Sequence, residues 1–102
     1  MAGVTPAFAL SPTYVHVSDM SKVHYQLYSN GFVYFRNLND FNSNVTGCCY
    51  AFGLDTTTPY GKSAWSTILM KMASKSSLSL YVSDATPPTS GAPATVDHLG
   101  NW

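Results

Sequence analysis

Apolar side chains fall at alternate positions in several short runs of this chain, and at helical spacing in one longer run, which predicts a mainly β domain carrying a single helix. Val23, Tyr25 and Leu27 alternate with His24, Gln26 and Tyr28, so a strand is expected from about Lys22 to Tyr28. Tyr14 to Val17 extends it backwards as one first strand, bent or bulged near Ser18 to Ser21. Ser29-Asn30-Gly31 follows, and Asn-Gly supplies the positive φ angles of a tight hairpin turn, so Phe32 to Asn37 should return antiparallel. Leu38 to Gly47 is rich in Asn, Asp and Ser and reads as a loop, because those side chains hydrogen-bond to the nearby backbone and compete with ladder bonds. Cys48 to Leu54 is the expected third strand.

Thr56-Thr57-Thr58-Pro59 is a helix start, since a hydroxyl caps a free N–H and proline at the first helical position forfeits no bond. Trp65, Ile68, Leu69 and Met72 then recur at i, i+3, i+4 and i+7, predicting a helix from about Pro59 to Ser74 with that stripe facing the core. Lys71 and Lys75 lie near its C-terminal end, where the helix dipole favours cations. Leu78, Leu80 and Val82 alternate with Ser77, Ser79 and Tyr81 as a fourth strand. Asp84 to Pro93, with Pro87, Pro88, Gly91 and Pro93, is a loop, and Ala94 to Leu99 is a fifth strand.

Three strands, one helix and two strands, with the helix between strands 3 and 4, is the order of an OB barrel, a five-stranded Greek-key β-barrel. A split α+β sheet with the helix on one face is the rival. Closure is favoured because the strands are short and carry few of the edge charges that keep open sheets from aggregating. The length suits one domain: residues 13–102 form it, and residues 1–12 are an N-terminal tail or signal-peptide remnant. Ala7 and Ala9 after Pro6 resemble an A-x-A cleavage site, which points to a secreted or periplasmic protein; an ordinary N-terminal tail is the other reading.

Composition narrows the function. Lysine plus arginine number 5 and aspartate plus glutamate 5, so the net charge is zero and charged residues are 10% of the chain, while aromatics are 14%. Such a surface lacks the basic patch of a nucleic-acid binder and the polybasic stripe of a lipid binder, so nucleic acid is an unfavoured partner. Weak charge leaves self-association open. No apolar run reaches the roughly 20 residues of a membrane helix, so membrane insertion is not expected.

No catalytic, metal-binding or cofactor constellation is present in the sequence. His16, His24 and His98 are widely separated, there is no Cys-x-x-Cys or His-x-x-x-His spacing, and Gly61-Lys62-Ser63 fails as a P-loop because the motif's first glycine falls at Thr56. Asn44-Val45-Thr46 matches a glycosylation sequon, a triplet frequent by chance. Cys48 and Cys49 are neighbours, too close for a long-range staple. A disulfide between neighbours requires a strained eight-membered ring, so one cysteine is expected to pack inward and the other to point outward, with an intermolecular bridge as the remaining possibility.

The candidate ligand-binding surface is the polar and aromatic face of the first hairpin. Alternation places His24, Gln26, Tyr28, Tyr34 and Arg36 on or beside one side, mixing flat rings with forked donors. Sugars suit such a face, because their C–H faces pack on rings while their hydroxyls need hydrogen-bonding partners. Cross-strand packing of the tyrosines beside a solvated arginine is the equal alternative.

The segment Leu54-Asp55-Thr56-Thr57-Thr58-Pro59-Tyr60-Gly61-Lys62-Ser63-Ala64, continued through the helix to Leu78-Ser79-Leu80-Tyr81-Val82, resembles small exported bacterial proteins related to the B subunits of subtilase-type and pertussis-type AB5 toxins. The resemblance covers about the last two thirds of the chain. It implies an OB fold, assembly as a homo-oligomeric ring of five, and binding of sialylated or other cell-surface glycans. Related chains often join a cysteine before the third strand to one after the fourth, whereas Ser83-Asp84-Ala85 stands at the second place here. No sugar-contacting residue of the toxin subunits aligns with this sequence. The expected function is therefore non-catalytic recognition of a cell-surface glycan. The alternatives are an oligomeric protein-interaction module and, less favoured, a single-stranded nucleic-acid-binding OB domain.

Overall fold

The computed structural model describes residues 13–45, 48–83 and 93–102. Six strands, β1 (Thr13–Val17), β2 (Tyr25–Leu27), β3 (Phe32–Phe35), β4 (Phe52–Asp55), β5 (Leu78–Val82) and β6 (Ala94–Gly100), and one helix, α1 (Pro59–Ser74), make up the fold. The strands form one mixed sheet in the order β1-β5-β6-β4-β3-β2, curled into a half-barrel. All neighbours are antiparallel except β4 and β6, which run parallel through Phe52 opposite Ala94 and Gly53 opposite Thr95. Burial alternates along β1, β3 and the start of β6, whereas β2 is exposed throughout and β4 and β5 are buried on consecutive residues. Val15, Val17, Val33, Phe35, Phe52, Leu54, Leu78, Leu80, Val82 and Val96 point inward and are buried.

The expectation of five strands with the helix between strands 3 and 4 is corrected: there are six strands, and α1 lies between β4 and β5. The first expected strand is divided by a 3-10 turn over Met20–Lys22, in which the Asp19 carboxylate accepts from the Ser21 N–H. Met20 is fully buried and its N–H donates to the Ser76 carbonyl just beyond α1. Burial of that side chain and satisfaction of that amide bend the chain where alternation alone would carry it straight on.

The helix has the expected limits. Thr58 is the N-cap, its hydroxyl accepting from the Gly61 N–H at 2.9 Å, and Pro59 opens the first turn. Lys75, at φ 56°, closes the far end in the left-handed conformation, with its N–H on the Lys71 and Met72 carbonyls. The buried stripe is rotated from the expected one: Gly61, Ala64 and Ile68 are buried, Trp65 and Met72 are half-buried, and Leu69 is 40% exposed. Small residues decide this. Gly61 lies so near the Asp55 carbonyl oxygen that a Cβ would fall 1.8 Å from it, so the helix rolls onto its glycine–alanine face, where backbones approach most closely.

The hairpin is longer than a two-residue turn. Tyr28 donates to the Phe32 carbonyl and Gly31 to the Tyr28 carbonyl, leaving a three-residue loop in which Gly31 alone has positive φ, at 90°. That is the pairing of a type I turn followed by a left-handed glycine. The Gly31 carbonyl accepts from the Thr56 N–H and hydroxyl, clamping the loop to the segment leading into α1.

The cysteines also depart from expectation, for Cys48 and Cys49 are joined to each other as a disulfide. Cys49 takes a positive φ of 75°, a turn rather than an extended strand, so the expected in-and-out alternation of the pair does not occur and β4 begins only at Phe52. The A-x-A pattern, most of the Asp84 to Pro93 loop and Thr46 of the sequon lie outside the described residues. Among those described, no helix is long and apolar enough to cross a membrane.

Candidate functional site: the outer face of β2, β3 and β4

Register brings the site together. Gln26 pairs with Tyr34, and Tyr34 pairs on its other side with Gly53; Arg36 continues the ladder by donating its N–H to the His24 carbonyl. Inward positions Val33 and Phe35 are buried, so Phe32, Tyr34 and Arg36 face outward together. Gly53 supplies the space for this face. A Cβ there would fall 2.1 Å from Cε1 of Phe32, so the Phe32 ring lies over the bare backbone of β4.

Tyr34 is the hub. Its ring centroid is 4.8 Å from that of Phe32, 5.4 Å from Tyr28 and 5.3 Å from Tyr50, the last two edge-on. The two edge-on pairs have the arrangement that aromatic quadrupoles prefer, and the Phe32 pair is tilted at 50°. Arg36 bounds the cluster. Its Nη1 donates to Gln26 Oε1 at 2.8 Å, and its guanidinium carbon sits 4.6 Å from the Tyr50 ring centroid, so the fork is held by a hydrogen bond and a cation–π contact. The phenols differ in acidity: hydrogen bonding with Tyr28 first, and with Arg36 second, holds Tyr50 below the ordinary tyrosine range, while the same Tyr28–Tyr50 interaction raises Tyr28.

Of the sequence-predicted residues, Gln26, Tyr28, Tyr34 and Arg36 meet in this group. His24 lies beside Arg36 in the ladder and gives its backbone N–H to Asn37 Oδ1, but among the described residues no ring contact or side-chain hydrogen bond joins its imidazole to the cluster. Phe32, Tyr50 and Gly53 were missed. Phe32 shares the alternation of Tyr34 and was legible on that ground; Tyr50 stands outside any strand and is delivered by the turn at Cys49.

A second aromatic group occupies the outer face of β1, β5 and β6. Tyr14 pairs with Tyr81 and Tyr81 with His98 in register; the Tyr81 and His98 rings stack at 4.4 Å, and Trp102 stands edge-on to Tyr14 at 5.3 Å. His16 and Ser79 hydrogen-bond beside them at 2.9 Å. Among the described residues no three His, Cys, Asp or Glu side chains converge as a metal site would require. No protein-family model, curated protein or solved structure matches this chain.

Proposed function

We propose that this chain is a non-catalytic binding domain of OB-like architecture that recognises a cell-surface glycan on the outer face of β2 and β3, in the manner of the toxin B subunits it resembles. The architecture is supported by continuity between β1 and β2. They stand at the two edges of the curled sheet and are joined in sequence through the turn over Met20–Lys22, so the sheet curls toward closure in the manner of an OB barrel. The observation that carries the function is the Tyr34 cluster: an exposed Tyr28 ring and half-buried Phe32, Tyr34 and Tyr50 rings for the C–H face of a sugar, beside an Arg36 fork already oriented by Gln26 and Tyr50, so that little side-chain freedom remains to be lost on binding. Export fits the Cys48–Cys49 disulfide, since such bonds persist in oxidising compartments.

A self-associating role is supported by a separate observation. Tyr25 and Leu27 on the edge strand β2, with Leu69 and Met70 on α1, are each 40% exposed or more on a chain of zero net charge, where no net repulsion opposes contact between copies. The test is a glycan array with wild type and a Tyr34→Ala, Arg36→Ala double variant, with sedimentation velocity on the same samples. Wild type binds and the folded double variant binds at least about 100-fold more weakly, from the loss of a charged hydrogen bond and a ring surface. A wild type that binds no glycan overturns the function.

A further inference from the structure

The disulfide sits where the site is assembled. Cys49 donates its N–H to the Arg36 carbonyl at 3.2 Å, and Tyr50 donates its own to the Cys48 carbonyl at 2.8 Å. Cys48 Sγ lies 3.7 Å from the same Arg36 oxygen; with no thiol proton in the disulfide, this is a contact and not a hydrogen bond. Arg36 thus holds the cysteine pair by its backbone and the Tyr50 ring by its side chain.

The eight-membered ring of a disulfide between neighbours contains the bonds about which ψ of Cys48 and φ of Cys49 turn. Closing the ring therefore restricts both angles. Cys49 has φ 75°, in the region that L-residues with a Cβ disfavour, and the covalent ring restricts its relaxation to negative φ together with the Cys49 and Tyr50 amide hydrogen bonds. Tyr50 is the next residue, so its ring position depends on that angle. Cys48 is exposed and Cys49 half-buried, which leaves Cys48 Sγ open to attack by a small thiol.

We propose that the Cys48–Cys49 disulfide is a thiol-exchange site whose opening releases Tyr50 from Arg36 and Tyr34 and so dismantles one wall of the outer face. A low-molecular-weight monothiol, as its thiolate, bonds to Cys48 Sγ and breaks the Sγ–Sγ bond. Cys49 Sγ takes the electron pair and the proton that the attacking thiol gave up. A second monothiol attacks the sulfur of the first, leaving as the mixed pair's symmetrical disulfide, and Cys48 is protonated. Two monothiols are oxidised to one disulfide and the protein gains two electrons and two protons. The new Cys48 thiol can then donate to the Arg36 carbonyl, competing with the Cys49 amide. The switch acts on the shape of the face whatever ligand the face takes.

The test is side-chain NMR of the full chain, oxidised and then treated with a monothiol, alongside a Cys48→Ser, Cys49→Ser double variant. In the oxidised protein, Overhauser contacts join the Tyr50 ring to Tyr34 and Arg36. On reduction, and in the double variant without reductant, these contacts are lost while those of Tyr28 with Tyr34 and Tyr14 with Trp102 persist. Tyr50 contacts that survive reduction overturn the proposal, as do two free thiols in protein prepared without reductant. Loss of the Tyr14–Trp102 contacts as well overturns it too, because the bond would then hold the fold and not the face. A silent glycan array beside a Tyr50 ring freed by reduction sinks the ligand reading alone.

Discussion

Gly61→Ala sets two effects of opposite sign against each other. Position 61 lies in the first turn of α1, where replacing glycine by alanine ordinarily favours a helix by about 1 kcal/mol. Here the added Cβ would stand 1.8 Å from the Asp55 carbonyl oxygen, 2.7 Å from its carbon and 2.9 Å from Thr58 Oγ1. Backbone cannot swing aside as a side-chain tip can, so the helix start must move away from β4 by more than about 1 Å, an overpacking change that costs roughly 1–3 kcal/mol. The same movement pulls at the cap. The Asp55 carbonyl accepts from the Thr58 hydroxyl at 3.0 Å, and Thr58 Oγ1 accepts from the Gly61 N–H; a lost N-cap costs about 1 kcal/mol more. The net expectation is a loss of about 1–3 kcal/mol, or a melting temperature lower by roughly 5–20 °C for a domain of this size. Urea and thermal denaturation followed by circular dichroism read it. Ser66→Ala, at an exposed position of the same helix, is the control and should gain about 0.5 kcal/mol. A Gly61→Ala protein as stable as wild type would refute the claim that the helix is rotated onto its glycine face by backbone contact.

Asp55 is held below the ordinary aspartate range by the Thr57 hydroxyl and N–H, and Asp19 by the corresponding groups of Ser21. Carboxylates with lowered folded pKa values stabilise above the unfolded value and lose that contribution as pH falls through the folded one. Wild type should therefore lose more melting temperature than Asp55→Asn between neutral pH and about pH 2, and equal losses would exclude this role for Asp55. Tyr28 first and Arg36 second, with a smaller part from Gln26, hold the Tyr50 phenol below the ordinary range, so in Arg36→Ala the Tyr50 Cζ resonance should titrate at higher pH than in wild type. An unchanged titration would show that the guanidinium does not act on that ring.

Elements whose signals are local could be read along the chain. The limits of α1 follow from Thr58, Pro59 and the apolar spacing behind them, all within a few residues of each other. The hairpin follows from Gly31, and the nearness of Gln26, Tyr28, Tyr34 and Arg36 on the candidate face from alternation on either side of it. The bend between β1 and β2 could not be read, because its cause is the burial of Met20 and a hydrogen bond to Ser76, which is distant in sequence. The buried stripe of α1 was misplaced for a related reason. Spacing identifies the apolar residues of a helix, but the neighbour's backbone chooses the face, and a glycine that admits close approach outweighs a leucine.

Local pattern and composition were enough to establish a β-rich chain with one capped helix and an aromatic hairpin, without net charge. These depend on interactions a few residues long or on totals over the whole chain. Tertiary structure alone decided the parallel pairing of β4 with β6, the split of the first strand, the joining of Cys48 to Cys49, and the arrival of Tyr50 beside Arg36. Each of these needs segments brought together from far apart, or a backbone angle that the surrounding fold imposes, and neither leaves a period or a motif in the chain.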